Sequence, residues 1–310
     1  MIKIYHRSIK DVAPNILNDF KTGSWIYVEN PNDEELDSLG TNYGLERGHL
    51  TDALDVNEVP RLEAEGVLNY IFIRVPFRDT GNRAYTVPVL IVIAPDFLLT
   101  LMKEPLPFLE RFINAGQTFN TTQKTNLFIQ IISQINSAYS NFLQEMSREV
   151  RQKTQGLEEA KSPRNTDIVE FLNLEKTLND FLAALIPTAA ILEKLLSGRH
   201  LKLYKADEDL VEDLFLGTNQ LVAASKANLR NISNLRDAYS TVMTNNLNQV
   251  IKLFTSITVL ITIPTMIASF YGMNVSLPYA NNPFAFPGII LGTMIATLVL
   301  LAVFIKNRWL

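Results

Sequence analysis

Two patterns of apolar and polar positions divide the chain. Up to about residue 120, short runs rich in β-branched and aromatic residues alternate with helical ones. Trp25-Ile26-Tyr27-Val28 and the stretches 69–78, 87–94 and 97–102 predict strands, whereas 33–54 predicts helix interrupted at Gly44. Beyond Thr121, Gly and Pro become scarce. Long helices are expected over about 122–160, over 165–197 with Pro187 inside, and from about 206 onward. Asn165-Thr166-Asp167 and Asp207 read as helix starts, Ser162-Pro163 and Gly198 as stops.

The last third changes character again. Residues 253–271 and 284–305 are two charge-free apolar stretches of about 19 and 22 residues, against the roughly 20 that a hydrocarbon core requires. From Asp207 up to Pro264 no proline intervenes, and Gly217 is the sole glycine, so one helix of roughly 85–95 Å is expected to run from the polar body into the first span. The expected architecture is an α+β cytosolic domain over 1–120, a long α-helical stalk over 121–250 and two transmembrane helices over 251–310.

The first span carries a polar stripe. Asn248, Ile251, Thr255, Thr258, Thr262, Thr265 and Ser269 recur every three or four positions and share one face. Two readings fit: hydroxyls that glue neighbouring helices together, or the lining of a water-filled pore. One such helix cannot enclose a lumen, so a pore requires several subunits around an axis. Pro264 deprives the Leu260 carbonyl of its helical donor, which a neighbour or water must replace.

Charge sharpens the division. All 32 Asp and Glu lie at or before Asp237, and the last 60 residues carry only Lys252, Lys306 and Arg308. Removing those three from the 28 basic residues leaves 25 against 32 acidic in residues 1–250, a net charge of −7. An acidic body without a basic stripe is a poor nucleic-acid partner. The link 275–283 has no Lys or Arg, whereas Lys252 precedes the first span and Lys306 and Arg308 follow the second. The positive-inside rule then predicts a multi-pass protein of the inner or plasma membrane with both termini cytoplasmic. The start, MIKIYHRSIK, has neither signal-peptide nor transit-peptide pattern. No cysteine is present, which removes disulfides, thiolate metal sites and cysteine nucleophiles. There is no phosphate-binding glycine loop, no G-x-S-x-G and no His-rich metal spacing, so neither an enzyme nor an organic cofactor is expected.

The first span ends in Tyr271-Gly272-Met273-Asn274. Glycine here is expected to let the helix turn out through a conformation that other residues resist, leaving terminal carbonyls and an Asn amide oxygen free. With Asn248, Lys252, Thr255, Pro264-Thr265, Ile267-Ala268 and the final Trp309-Leu310, this motif resembles the CorA family of divalent-cation channels, the Gly-Met-Asn superfamily, usually magnesium transporters. The resemblance extends to Asp52-Ala53-Leu54-Asp55, Pro60-Arg61-Leu62-Glu63 and Tyr70-Ile71-Phe72-Ile73, and covers nearly the whole chain.

The resemblance implies a funnel-shaped homopentamer that takes up Mg²⁺ passively, with Co²⁺ and Ni²⁺ as further cargo. It implies an ion mouth at Gly272, Met273 and Asn274, and pore-facing Asn248, Ile251, Phe254, Thr258, Thr262, Thr265 and Ser269, placing Phe254 inward where the spacing places Thr255. Ile251 and Phe254 would form an apolar gate. Asp52 and Asp237 match carboxylates that hold a regulatory Mg²⁺ across a subunit boundary. Four departures stand out: Thr51 replaces a second regulatory carboxylate, the link 275–283 has no acid, Ser269 replaces a usual glycine, and Thr262 a common methionine. Two alternatives stay open, a zinc transporter of the ZntB branch and a non-transporting membrane-anchored scaffold. Zinc prefers nitrogen and sulfur ligands, and His6, His49 and His200 all lie away from the presumed pore.

Overall fold

The computed structural model describes residues 1–11, 13–114, 119–158, 164–198, 203, 205–275, 282–307 and 309. It divides into two compact units: Met1–Ala160 with Asn165–Leu235, and Arg236–Leu310 with Lys161–Arg164.

The first unit is built on seven strands: β1 (Ile2–His6), β2 (Asn15–Leu17), β3 (Ser24–Glu29), β4 (Arg61–Glu65), β5 (Leu68–Arg78), β6 (Ala84–Ile93) and β7 (Phe97–Met102). They form one sheet in the order β2-β1-β3-β7-β6-β5-β4. The central β3 and β7 run parallel, from Ser24 beside Phe97 to Glu29 beside Met102, and every other neighbouring pair is antiparallel. Successive side chains of a strand point to opposite faces. On β3, Ile26 and Val28 join Leu36, Leu39, Leu50, Tyr70, Phe72, Leu99 and Leu101 in a core shared with α1 (Asp33–Tyr43) and α2 (Arg47–Asp52). Trp25 and Tyr27 face the other way. Trp25 is fully buried, packs edge-on against Phe112 and Phe119, and donates from Nε1 to Thr100 Oγ1 at 3.0 Å.

The local chemistry explains the breaks. Asn32 caps α1 by accepting from the Glu35 amide, while the Glu35 carboxylate accepts from the Asn32 amide. Gly44 ends the helix at φ 66°, a left-handed conformation that costs glycine little. The interruption expected at Gly44 therefore separates α1 from α2. Strands expected at 69–78, 87–94 and 97–102 are β5, β6 and β7; β1, β2, β4 and the helix α3 (Pro107–Asn114) are additional.

Three long helices follow: α4 (Lys124–Glu158), α5 (Asn165–Leu196) and α6 (Lys205–Tyr271). The stop expected at Ser162-Pro163 lies outside the described residues. In the first unit, α4 and α6 are joined by Asn136 Nδ2 donating to Thr218 Oγ1 and Ser147 Oγ donating to Asn228 Oδ1, both at 3.0 Å. Helix α6 continues unbroken through Pro264 for 67 residues, about 100 Å at 1.5 Å each. The second apolar stretch is α7 (Ala285–Lys306). Both α6 and α7 contain an apolar window long enough to span a bilayer, and only 6% and 0% of those windows is buried. Such long, uncovered apolar surface demands a lipid or protein partner, as a transmembrane pair has.

Replacing Trp25 by Ala should cost about 3–5 kcal/mol, combining lost burial with a cavity at the sheet's centre. Urea unfolding of the detergent-solubilised chain followed by circular dichroism measures it; a change below about 1 kcal/mol would contradict this packing.

Candidate functional site

The stripe is best seen down the axis of α6. At 100° per residue, Asn248, Ile251, Phe254, Thr258, Thr262, Thr265 and Ser269 fall within about 120° of arc, and Thr255 falls inside the same arc. All seven are exposed. The less exposed positions of the membrane stretch are Ser256, Leu260, Ile263, Pro264 and Ile267, and they centre about 170° away. Pro264 and Ile267 line a 730 Å³ cleft whose opposite wall is Phe286, Ile290 and Thr293 of α7. The hydroxyl stripe thus lies on the side of α6 turned away from α7.

Its hydrogen-bond state is defined. Thr258 Oγ1 donates to the Phe254 carbonyl at 2.8 Å, Thr262 Oγ1 to that of Thr258 at 2.7 Å, and Thr265 Oγ1 to that of Ile261 at 2.8 Å. A hydroxyl has one hydrogen and two lone pairs. With the hydrogen used within the helix, each threonine offers acceptors only to whatever lies beside it. Before the first of them, Ile251 and Phe254 are apolar and 52% and 65% exposed.

At the end of α6 the Gly272 amide donates to the carbonyls of Ala268 at 2.9 Å and Ser269 at 3.2 Å, and the Met273 amide to Phe270 at 3.4 Å. The expected left-handed turn at Gly272 is absent: positive φ among the described glycines belongs to Gly23, Gly44, Gly66 and Gly198. A Cβ at Gly272 would meet the Ala268 carbonyl at 3.4 Å, an ordinary contact. Glycine is thus not required by the conformation of one chain. Asn274 follows, exposed, and residues 276–281 lie outside the described residues.

The two other predicted residues lie apart from this stripe in sequence. Asp237, on α6, is 72% exposed and lies 3.7 Å from Arg236 Nε. Asp52 ends α2, where its Oδ2 accepts from Arg61 Nη2 at 2.8 Å. Arg61 also pairs with Glu58 and Glu63, and its guanidinium lies 3.8 Å above the Phe72 ring. This belongs to a ladder. Glu46, His49 and Asp52 recur at i, i+3 along one face of α2 and its cap, while Glu65, Glu63 and Arg61 recur at i, i+2 along one face of β4. Asp52 pairs with Arg61 at one end; His49 lies among Glu46, Glu63 and Glu65 at the other. A half-exposed carboxylate suits Mg²⁺, which binds oxygen and keeps most of its water. Sequence reasoning quoted Arg61 without its role and missed the His49 end, because β4 was not expected as a strand; the alternation Arg61, Glu63, Glu65 was its signal.

Residues 20–306 match the family model of the CorA-like Mg2+ transporter protein. The chain belongs to that family. Among its relatives, the cobalt/magnesium transport protein CorA of Methanocaldococcus jannaschii is 26% identical over 298 residues, covering 92% of this chain and 91% of the relative. The complete structure of the CorA magnesium transporter from that organism superposes with a TM-score of 0.85 at 24% identity, over 100% of this chain and 99% of that one. The ZntB cytoplasmic domain from Vibrio parahaemolyticus matches at TM-score 0.62 and 10% identity over 77% of this chain and 96% of the domain, a likeness of fold alone. The CorA-like chain therefore has the fold expected of it, an α+β domain, a long helix and two apolar helices.

The absence of cysteine makes the wild type a ready background for single-cysteine labelling. In lipid vesicles, Thr262→Cys and Ser269→Cys are expected to react with a water-soluble maleimide at least tenfold faster than Leu291→Cys and Val299→Cys on exposed positions of α7. Equal rates at all four would mean that the stripe is not wetter than the lipid face.

Proposed function

We propose that this CorA-like chain is a passive divalent-cation channel for Mg²⁺, with Co²⁺ and Ni²⁺ as further cargo, in which several copies, five by analogy with the family, set the α6 stripe around an axis. Residues 1–120 and 121–250 form the sensing body and stalk, and 251–310 the pore. The observation that carries this reading is the row of acceptor hydroxyls at Thr258, Thr262 and Thr265. The waters around Mg²⁺ point their hydrogens outward, so a lining of lone pairs bonds the hydrated ion without stripping it. Asn248, Thr258, Thr262, Thr265 and Ser269 supply neutral oxygens, and no carboxylate beyond Asp237 exists to trap the ion. Ile251 and Phe254 form the dewetting gate.

At the mouth, Asn274 with Gly272 and Met273 receives the hydrated ion. A glycine that one chain does not need is explained if symmetry copies crowd that position. With Lys252 before the first span and Lys306 after the second, both termini lie in the cytoplasm, and a doubly charged ion moving inward across 100 mV gains about 4.6 kcal/mol without a coupled ion.

Regulation uses Asp52 and Asp237 of neighbouring copies, bridged by internal Mg²⁺, whose loss leaves facing negative charges and tilts the stalks. Arg61 is the ion's competitor for Asp52. In that pair the Arg61 and Asp52 side chains are 25% and 46% exposed, so Mg²⁺ can approach Asp52 from solvent and must displace the guanidinium. A zinc channel is disfavoured by a stripe without nitrogen or sulfur ligands. A scaffold without transport would give no flux of any divalent ion.

In liposomes, Asn274→Ala should lower Mg²⁺ flux at least tenfold; wild-type flux would contradict the assigned mouth. Asp237→Ala should keep flux but lose inhibition by internal Mg²⁺, and inhibition at the wild-type concentration would remove Asp237 from the gate.

A further inference from the structure

The far end of the carboxylate ladder holds a geometry that the pore reading leaves unused. His49 is 8% exposed, its ring lying against Tyr70 and Phe72 with centroids at 4.4 and 5.9 Å. Its Nε2 lies 3.2 Å from Glu65 Oε1, 3.4 Å from Glu63 Oε2 and 3.5 Å from Glu46 Oε2. A ring nitrogen carries at most one hydrogen, in the ring plane, and that hydrogen serves one acceptor well. A salt bridge therefore accounts for one of these oxygens. It leaves two more carboxylates facing the same point; among the described residues Glu63 has a second cationic partner, Arg61, and Glu46 and Glu65 have none.

The spacing has a simpler occupant. Four ligands placed tetrahedrally at the 2.0–2.1 Å typical of zinc stand about 3.3–3.4 Å from one another. The three Nε2-to-oxygen distances, 3.2–3.5 Å, bracket that edge, and the ligand atoms of Glu46, His49 and Glu65 all lie within 4.8 Å of one another. We infer that Glu46, His49 and Glu65 form a binding site for a borderline divalent transition ion, Zn²⁺ or Co²⁺, on the α2–β4 face, with Glu63 beside the same imidazole.

The buried imidazole supplies the nitrogen that selects such an ion over Mg²⁺, whereas the oxygen-only positions at Asp52 and Asn274 have none to offer. Entry is open, because Glu46, Glu63 and Glu65 have side chains 39–56% exposed. The site also adjoins the regulatory end. Glu63 is shared between His49 and Arg61, and Arg61 holds Asp52, so an ion that draws Glu63 away loosens a partner of Asp52.

The test is calorimetric titration of Zn²⁺ into the detergent-solubilised full chain with Mg²⁺ in large excess to fill oxygen-only sites. One Zn²⁺ per chain is expected. His49→Phe, which keeps an aromatic ring against Tyr70, should weaken it at least tenfold, as should Glu65→Gln and Glu46→Gln, whose exposed positions preserve the fold if His49→Phe does not. Asp52→Asn and Asn274→Ala should leave it within twofold. Absence of zinc uptake under excess Mg²⁺, or unchanged affinity in the Glu65 and Glu46 variants, overturns the site. Loss in Asn274→Ala instead would place the bound zinc in the pore.

Discussion

Where the hydroxyl hydrogens of α6 go decides what its polar stripe can offer to whatever lies beside it. A threonine that donates to its own i−4 carbonyl still has two lone pairs, and those lone pairs are what a hydrated cation needs from a wall. Thr258, Thr262 and Thr265 are all in this state, on the side of α6 opposite the α7 cleft. The same bonds limit what these residues can do for helix association, since a hydroxyl whose donor is consumed makes weaker glue between copies. What these threonines present to a neighbour is a row of uncharged acceptors.

The body carries the complementary chemistry. Carboxylates are confined to residues up to Asp237, and on the α2–β4 face they are arranged in register: a helix contributes every third residue, a strand every second. Arg61 sits at one end of this register, supported by the Phe72 ring and contacting Asp52, Glu58 and Glu63. Arg61 thus links Asp52 to Glu63, a carboxylate that His49 also contacts.

The sequence disclosed these parts unequally, for physical reasons. Strong periodicity over many residues made α4, α5, α6 and α7 legible to within a few positions, and the aromatic and β-branched runs did the same for β5, β6 and β7. β4 escaped because Arg61-Leu62-Glu63-Ala64-Glu65 is a charged edge strand, whose composition protects it from unwanted pairing and hides it from propensity. The stripe was legible from spacing alone, although spacing chose Thr255 and family likeness Phe254, and the arc of α6 admits both. Asp52 and Asp237 were drawn from likeness, since nothing in spacing distinguishes them from solvated acids. Gly272 was read as a left-handed turn, and its backbone takes no such conformation. His49 was dismissed as far from the pore, and its ligand-like surroundings arise only when β4 folds beside α2.

The account turns on acceptor oxygens along α6, and Mg²⁺ flux through liposomes bearing Thr258→Val and Thr262→Val together tests it most directly. Valine keeps the shape of threonine and removes the lone pairs, whereas Thr258→Ser and Thr262→Ser keep them. Flux reduced at least tenfold in the valine pair and retained within about twofold in the serine pair is the predicted result. Wild-type flux in the valine pair would contradict an acceptor-lined path.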